Sequence, residues 1–149
     1  MDTLLRGLAQ VLINGGVASG YGGTSDYGVF ISNVPTSPGA VIVLNRAGGL
    51  PDNPKWAVDY PAIQAIVRGK ENASDAAYVK IKAVKDVLLG RESGLLPAVA
   101  GITTPEYVTS ITLMGNILPL GRDDNNRILY SVNFRLIVEP VTTGNRTPL

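Results

Sequence analysis

Two short stretches of the chain hold residue types that support chemistry elsewhere. Gly15-Gly16-Val17-Ala18-Ser19-Gly20-Tyr21-Gly22-Gly23 has enough glycine to let backbone amides converge on a phosphate. A phosphate cradle, however, joins a strand to the start of a helix, and this run follows a helical pattern instead. It also lacks the Lys-Ser/Thr pair of a P-loop and the third glycine of a dinucleotide fingerprint. It therefore reads as a flexible linker or a subunit-contact loop. Asp123-Asp124-Asn125-Asn126 offers oxygen ligands suited to a hard cation, but without the alternation, central glycine and distal glutamate of an EF-hand. A solvated β-turn accounts for it better, because Asp and Asn side chains hydrogen-bond their own backbone.

The chain contains no Cys and no His. That removes disulfides, thiolate nucleophiles, imidazole bases and Cys/His metal or haem sites. The serines have no imidazole partner, and no carboxylates are paired by spacing outside the Asp123/Asp124 turn. No cofactor, metal or catalytic residue is expected. Lys80, Lys82 and Lys85 with Arg91 give one helix a basic bias that the helix macrodipole favours near its C-terminus. A solvated face explains them, and contact with DNA phosphates or an acidic partner subunit is the alternative. Thirteen Lys+Arg against 12 Asp+Glu leave a net charge of +1, so there is no global pull toward nucleic acid. The longest apolar runs fall far short of the roughly 20 residues that span a bilayer, and Met1-Asp2 lacks the basic start of a secretory signal. The expectation is a soluble chain made in a cytoplasm, with no membrane partner.

These residues must be positioned by one domain, the natural reading of 149 residues. Seventeen Gly and 10 Pro against only 17% charged residues leave apolar and backbone groups available to neighbours, a hint of assembly. Residues 2–14 predict an amphipathic helix capped by Asp2, with Leu4, Leu5, Leu8, Val11 and Leu12 on roughly 120° of arc and Gly15-Gly16 as the stop. Strands are predicted at 28–33, at 40–44 (AVIVL) and at 61–70, with 45–60 as a long turn-rich connection. A second helix is expected to be capped by Asn72, to bury Ala77, Ile81, Val84 and Leu88, and to end at Gly90. Residues 91–108 read as irregular. Strands at 109–118 and 127–138 are joined by 119–126, and Tyr130, Val132, Phe134, Leu136 and Val138 share one face of the last. The predicted fold class is α+β: a mixed, largely antiparallel sheet of about five strands with two helices packed on one face. Residues 1–139 form the domain, and 140–149 a loose tail.

The most distinctive stretch is Lys55-Trp56-Ala57-Val58-Asp59-Tyr60-Pro61-Ala62-Ile63-Gln64-Ala65-Ile66-Val67-Arg68-Gly69-Lys70, followed by the second helix. With Ile31-Ser32-Asn33-Val34-Pro35, Ile42-Val43-Leu44, Gly48-Gly49-Leu50-Pro51 and the late Tyr130-Ser131-Val132-Asn133-Phe134, it resembles the minor capsid or tail terminator proteins of tailed bacteriophages. The resemblance implies a structural virion protein of the tail or neck, assembled in the bacterial cytoplasm as a homo-oligomeric ring, commonly hexameric. Such a ring stops growth of the tail tube at its head-proximal end and offers a surface to the head-tail connector, with DNA passing through its lumen without sequence-specific binding. Its partners would be itself, the tail tube protein and the connector. A head-completion or neck adaptor is the alternative, and a small accessory enzyme or nucleic-acid-binding protein a more distant one. Trp56, Tyr60, Gln64 and Arg68 are the candidate interface residues. Trp56 either anchors a neighbour or plugs a loop against its own core, and Arg68 either bonds across a contact or points to solvent.

Overall fold

The computed structural model describes residues 2–50, 58–99, 101 and 105–139. Trp56 and the tail 140–149 lie outside them. Helix α1 (Thr3–Asn14) starts where Asp2, in an extended conformation, accepts a hydrogen bond at 3.1 Å from the Leu5 amide. This side chain satisfies one of the amides that have no partner within the helix. Leu4, Leu5, Leu8 and Leu12 are buried, as the spacing predicts. Gly15 caps the C-terminus, and Gly16 at φ +75° takes the left-handed turn beyond it.

The strands are β1 (Gly28–Ile31), β2 (Val41–Leu50), β3 (Tyr60–Arg68), β4 (Gly94–Leu95), β5 (Tyr107–Leu113), β6 (Leu118–Arg122) and β7 (Ile128–Glu139), with helix α2 (Ser74–Leu89) between β3 and β4. They form one sheet in the order β1-β2-β3-β7-β5-β4, and β6 also pairs with β7. Among the paired strands of the described residues, β1 and β2 run parallel and the others antiparallel. The fold is α+β with a mixed, largely antiparallel sheet, as expected, but with seven strands among the described residues rather than about five.

Strand alternation sets the layers. Val29, Ile42, Leu44, Ile63, Ala65, Val67, Val132, Phe134, Leu136 and Val138 join the buried residues of α1 and α2 in one core, so both helices cover the same face. Ala77, Ile81, Val84 and Leu88 are the buried stripe of α2. On the other face the sheet curls over a second, smaller cluster of Val41, Val43 and Ile66 with Phe30 and Leu129.

Several local expectations are corrected. The α2 N-cap is Ala73, which makes no side-chain cap bond, whereas Asn72 sits at φ +59° one residue earlier. No cation lies in the last turn of α2, so the macrodipole does not account for its lysines. The connection expected from Asn45 to Tyr60 begins only after Leu50, because β2 continues beyond its apolar run. A bulge between Arg46 and Gly49 then carries the pairing on to Tyr60. Residues 91–108 include β4, fixed by the Arg91 guanidinium on the Glu92 and Leu95 carbonyls, and Leu96 is buried. The expected connection 119–126 contains most of β6. Strands β5 and β6 run in the same direction along β7, as one long strand interrupted by residues 114–117. Between the pairs Leu113–Phe134 and Leu118–Ser131, β7 has only Val132 and Asn133.

Candidate functional site

Tyr60, Gln64 and Arg68 share the helix-free face of β3 by their even parity, but not one spot. At about 3.4 Å per residue the first and last are about 27 Å apart. Tyr60 lines a cleft of about 320 Å³ at one end of the sheet, together with Arg46, Leu50, Asp59, Glu106 and Val138. Arg46 forks onto Asp2, Nε to Oδ2 at 2.7 Å and Nη2 to Oδ1 at 3.0 Å. Burial pushes the Asp2 carboxyl up, yet the Arg46 contact and the Leu5 and Leu4 amides outweigh it and leave the pKa below the ordinary carboxylate value. The same bond to Asp2 raises Arg46. Thr3 donates to the Glu106 carboxylate at 2.8 Å. The cleft thus ties the start of α1 to β2 and to the approach to β5 through charge-assisted bonds. Among the described residues no group of three or more acids is placed to hold a metal ion.

Gln64 sits mid-strand, opposite Asn45 of β2 and Asn133 of β7. The Asn45 Nδ2 donates to its Oε1 over a long 3.5 Å. This amide row crosses the centre of the helix-free face.

Arg68 has an intramolecular role. It is 3% exposed, and its guanidinium donates to the carbonyls of Gly39 and Pro38 at 2.8 Å each and of Thr36 at 3.5 Å. Burial and the nearby Arg127 both lower its pKa, against a smaller pull from Asp123. Arg127 reaches Thr36 O at 2.8 Å and Asp123 Oδ2 at 2.8 Å. Two arginines therefore latch the β1–β2 connection onto β3 and the turn that leads into β7. The 123–126 stretch is a turn, as expected: Asp123 Oδ1 accepts from the Asn125 and Arg127 amides.

The Gly-rich run is an ordered element rather than a loose linker. Val17 and Ala18 are buried. Gly20 and Gly22 bracket Val29, with Val29 N to Gly20 O at 2.9 Å and Gly22 N to Val29 O at 2.8 Å, so they occupy the outer edge of β1. Lys80 of α2 holds the run from above, donating to Val17 O at 2.9 Å and lying 4.8 Å from the Tyr27 ring centroid. Sequence reasoning also missed the opposite edge. Leu113, Met114, Leu118 and Leu120 are 38–53% exposed within eight residues along β5 and β6. The Leu-Pro-Leu of β6 carried a usable signal, since proline inside an apolar run marks an edge strand.

Residues 11–140 match the family model described as bacteriophage tail terminator protein. The chain belongs to that family. The match takes in the last four residues of α1, all of α2 and the whole sheet. It makes this tail terminator a structural protein of the phage tail. No curated protein matches the chain.

Proposed function

We propose that this tail terminator acts as a homo-oligomeric ring, probed first as a hexamer, which caps the head-proximal end of the tail tube. One face copies the growing end of the tube and binds its last layer of tube protein. The other face lacks that surface, so no further layer adds, and it receives the head-tail connector. The lumen passes DNA by shape, in keeping with a net charge of +1 and no global attraction for phosphates. Chain growth stops without any bond being cleaved.

Beyond family membership, the observation that carries this reading is the unlikeness of the two sheet edges. The β1 edge is occupied by the chain's own residues 20–22, whereas the β6 edge is apolar and exposed. Two unlike edges permit heterologous joining, in which one patch meets a different patch on the next copy, and such contacts form closed rings when the rotation closes. Disrupting the gene and imaging the particles tests the function. Tail tubes of uncontrolled, excessive length are expected. Free tails of normal length beside filled heads would overturn the terminator assignment in favour of a neck adaptor.

A further inference from the structure

We propose that neighbouring copies join by seating the β6 rim of one chain in a groove over β1 of the next. This inference rests on the ring reading and adds to it the two surfaces and their register. The rim comprises Leu113, Met114, Leu118 and Leu120, large apolar side chains exposed along this edge. The pairing with Phe134 sets Leu113 on the helix side and the pairing with Ser131 sets Leu118 on the helix-free side, so the knob is formed by β6 itself, through Leu118 and Leu120. The groove lies on the opposite edge of the same sheet, four strands from β6, between α1 and β1. It holds about 260 Å³ and is lined by Arg6, Tyr21, Gly22, Val29, Phe30 and Ile31. That volume is near the lower end of small-molecule pockets, and Arg6 is the one charged side chain among its lining residues. A side-chain knob suits it better than a metabolite.

The groove is preformed. The Tyr21 hydroxyl donates toward Arg6 O at 3.1 Å and Gln10 Oε1 at 2.9 Å, which fixes the ring that forms one wall. A wall already held in place loses little freedom on docking. Charge adds a register. The Arg6 guanidinium rests 5.8 Å from the Tyr21 ring centroid and has no carboxylate partner among the described residues. Asp124, exposed in the turn directly after β6, likewise has no cation partner among them, whereas its neighbour Asp123 is taken up by Arg127. The rim thus carries an apolar knob with an acid beside it, and the groove an apolar slot with a cation beside it. Backbone strand addition is not the mode of joining. Residues 20–22 take up the outward amide and carbonyl of Val29 in the short β1, and β6 bears Pro119 and a bulge before Gly121, devices that blunt an edge. Side chains must make the contact.

The experiment uses two full-length variants, Leu118→Glu/Leu120→Glu on the rim and Arg6→Glu in the groove, with circular dichroism and thermal melting to confirm that each stays folded. Masses are read by native mass spectrometry and light scattering. The wild type is expected to form closed rings and each variant alone a monomer. A one-to-one mixture is expected to give a discrete heterodimer, because the rim variant keeps an intact groove and the groove variant an intact rim. Arg6→Glu combined with Asp124→Arg should restore rings, with affinity recovering by about tenfold or more over Arg6→Glu. Rings from both single-surface variants would overturn the inference while leaving the ring reading intact. Dimers of the groove variant alone would overturn it in favour of a rim-to-rim contact. A wild-type chain that stays monomeric at every concentration would overturn the ring reading itself.

Discussion

Replacing Arg68 with alanine tests whether a buried guanidinium bonded to backbone rather than to an acid holds this end of the sheet together. Arg68 is 3% exposed and makes two short bonds, to Gly39 O and Pro38 O at 2.8 Å, and one long one to Thr36 O. A hydrogen bond to a charged group contributes about 1.5–3 kcal/mol net. The two short bonds give about 3–6 kcal/mol, with the 3.5 Å bond adding little. Alanine also leaves two carbonyls without their donor and a space against Val41 and Leu129, its cross-strand neighbours. Arg68→Lys keeps the charge but offers a single point in place of a fork, so about half the loss is expected. Urea unfolding followed by circular dichroism reads both variants, as a drop in midpoint at unchanged slope. A loss below about 1 kcal/mol for Arg68→Ala would refute the reasoning, and so would an Arg68→Lys variant as unstable as Arg68→Ala.

Asp2→Asn keeps a competent N-cap but removes the Arg46 ion pair. Because the native Asp2 pKa is lowered, the advantage of the wild type is present above the unfolded value of about 3.9. That advantage should shrink as the pH falls through the native pKa, so the two stability curves converge in acid; parallel curves would contradict the pair's role. At Gly28 an added Cβ would lie 2.2 Å from Gly22 O, a backbone atom that cannot move aside alone. Gly28→Ala should therefore cost about 2–3 kcal/mol and raise amide exchange across residues 20–22. Ala73→Ser supplies the side-chain oxygen that the α2 N-cap lacks and should raise stability by about 1 kcal/mol, read as a higher melting temperature.

Elements that bury a periodic face were legible in the sequence. Leu4, Leu5, Leu8 and Leu12 marked α1, Ala77, Ile81, Val84 and Leu88 marked α2, and Val132, Phe134, Leu136 and Val138 marked β7, because burial of one face imposes a period of 3.6 or 2. Elements held by backbone pairing were not. Strand β6 is exposed throughout and contains Pro119 and Gly121, so its residues carry no burial pattern, and β7 alone defines it. The ordering of the Gly-rich run depends on Val29, Lys80 and Gln10, none of them local to it. Among the candidate interface residues, spacing could not show that Arg68 turns inward to carbonyls more than 25 residues away in the chain. Trp56 lies outside the described residues. The rim and the groove were missed because an exposed leucine and a lone arginine are individually ordinary; only the tertiary arrangement sets them on opposite edges.

The Arg68 latch has a consequence for how this protein tolerates change. Carbonyl oxygens are the same whatever residue bears them, so the guanidinium reads the path of the chain and not its letters. Thr36 and Ser37, both exposed, are free to drift to other residue types while the strap stays fastened, provided its length and course are kept. The strap is therefore specified by its course through space and leaves its own side chains uncommitted.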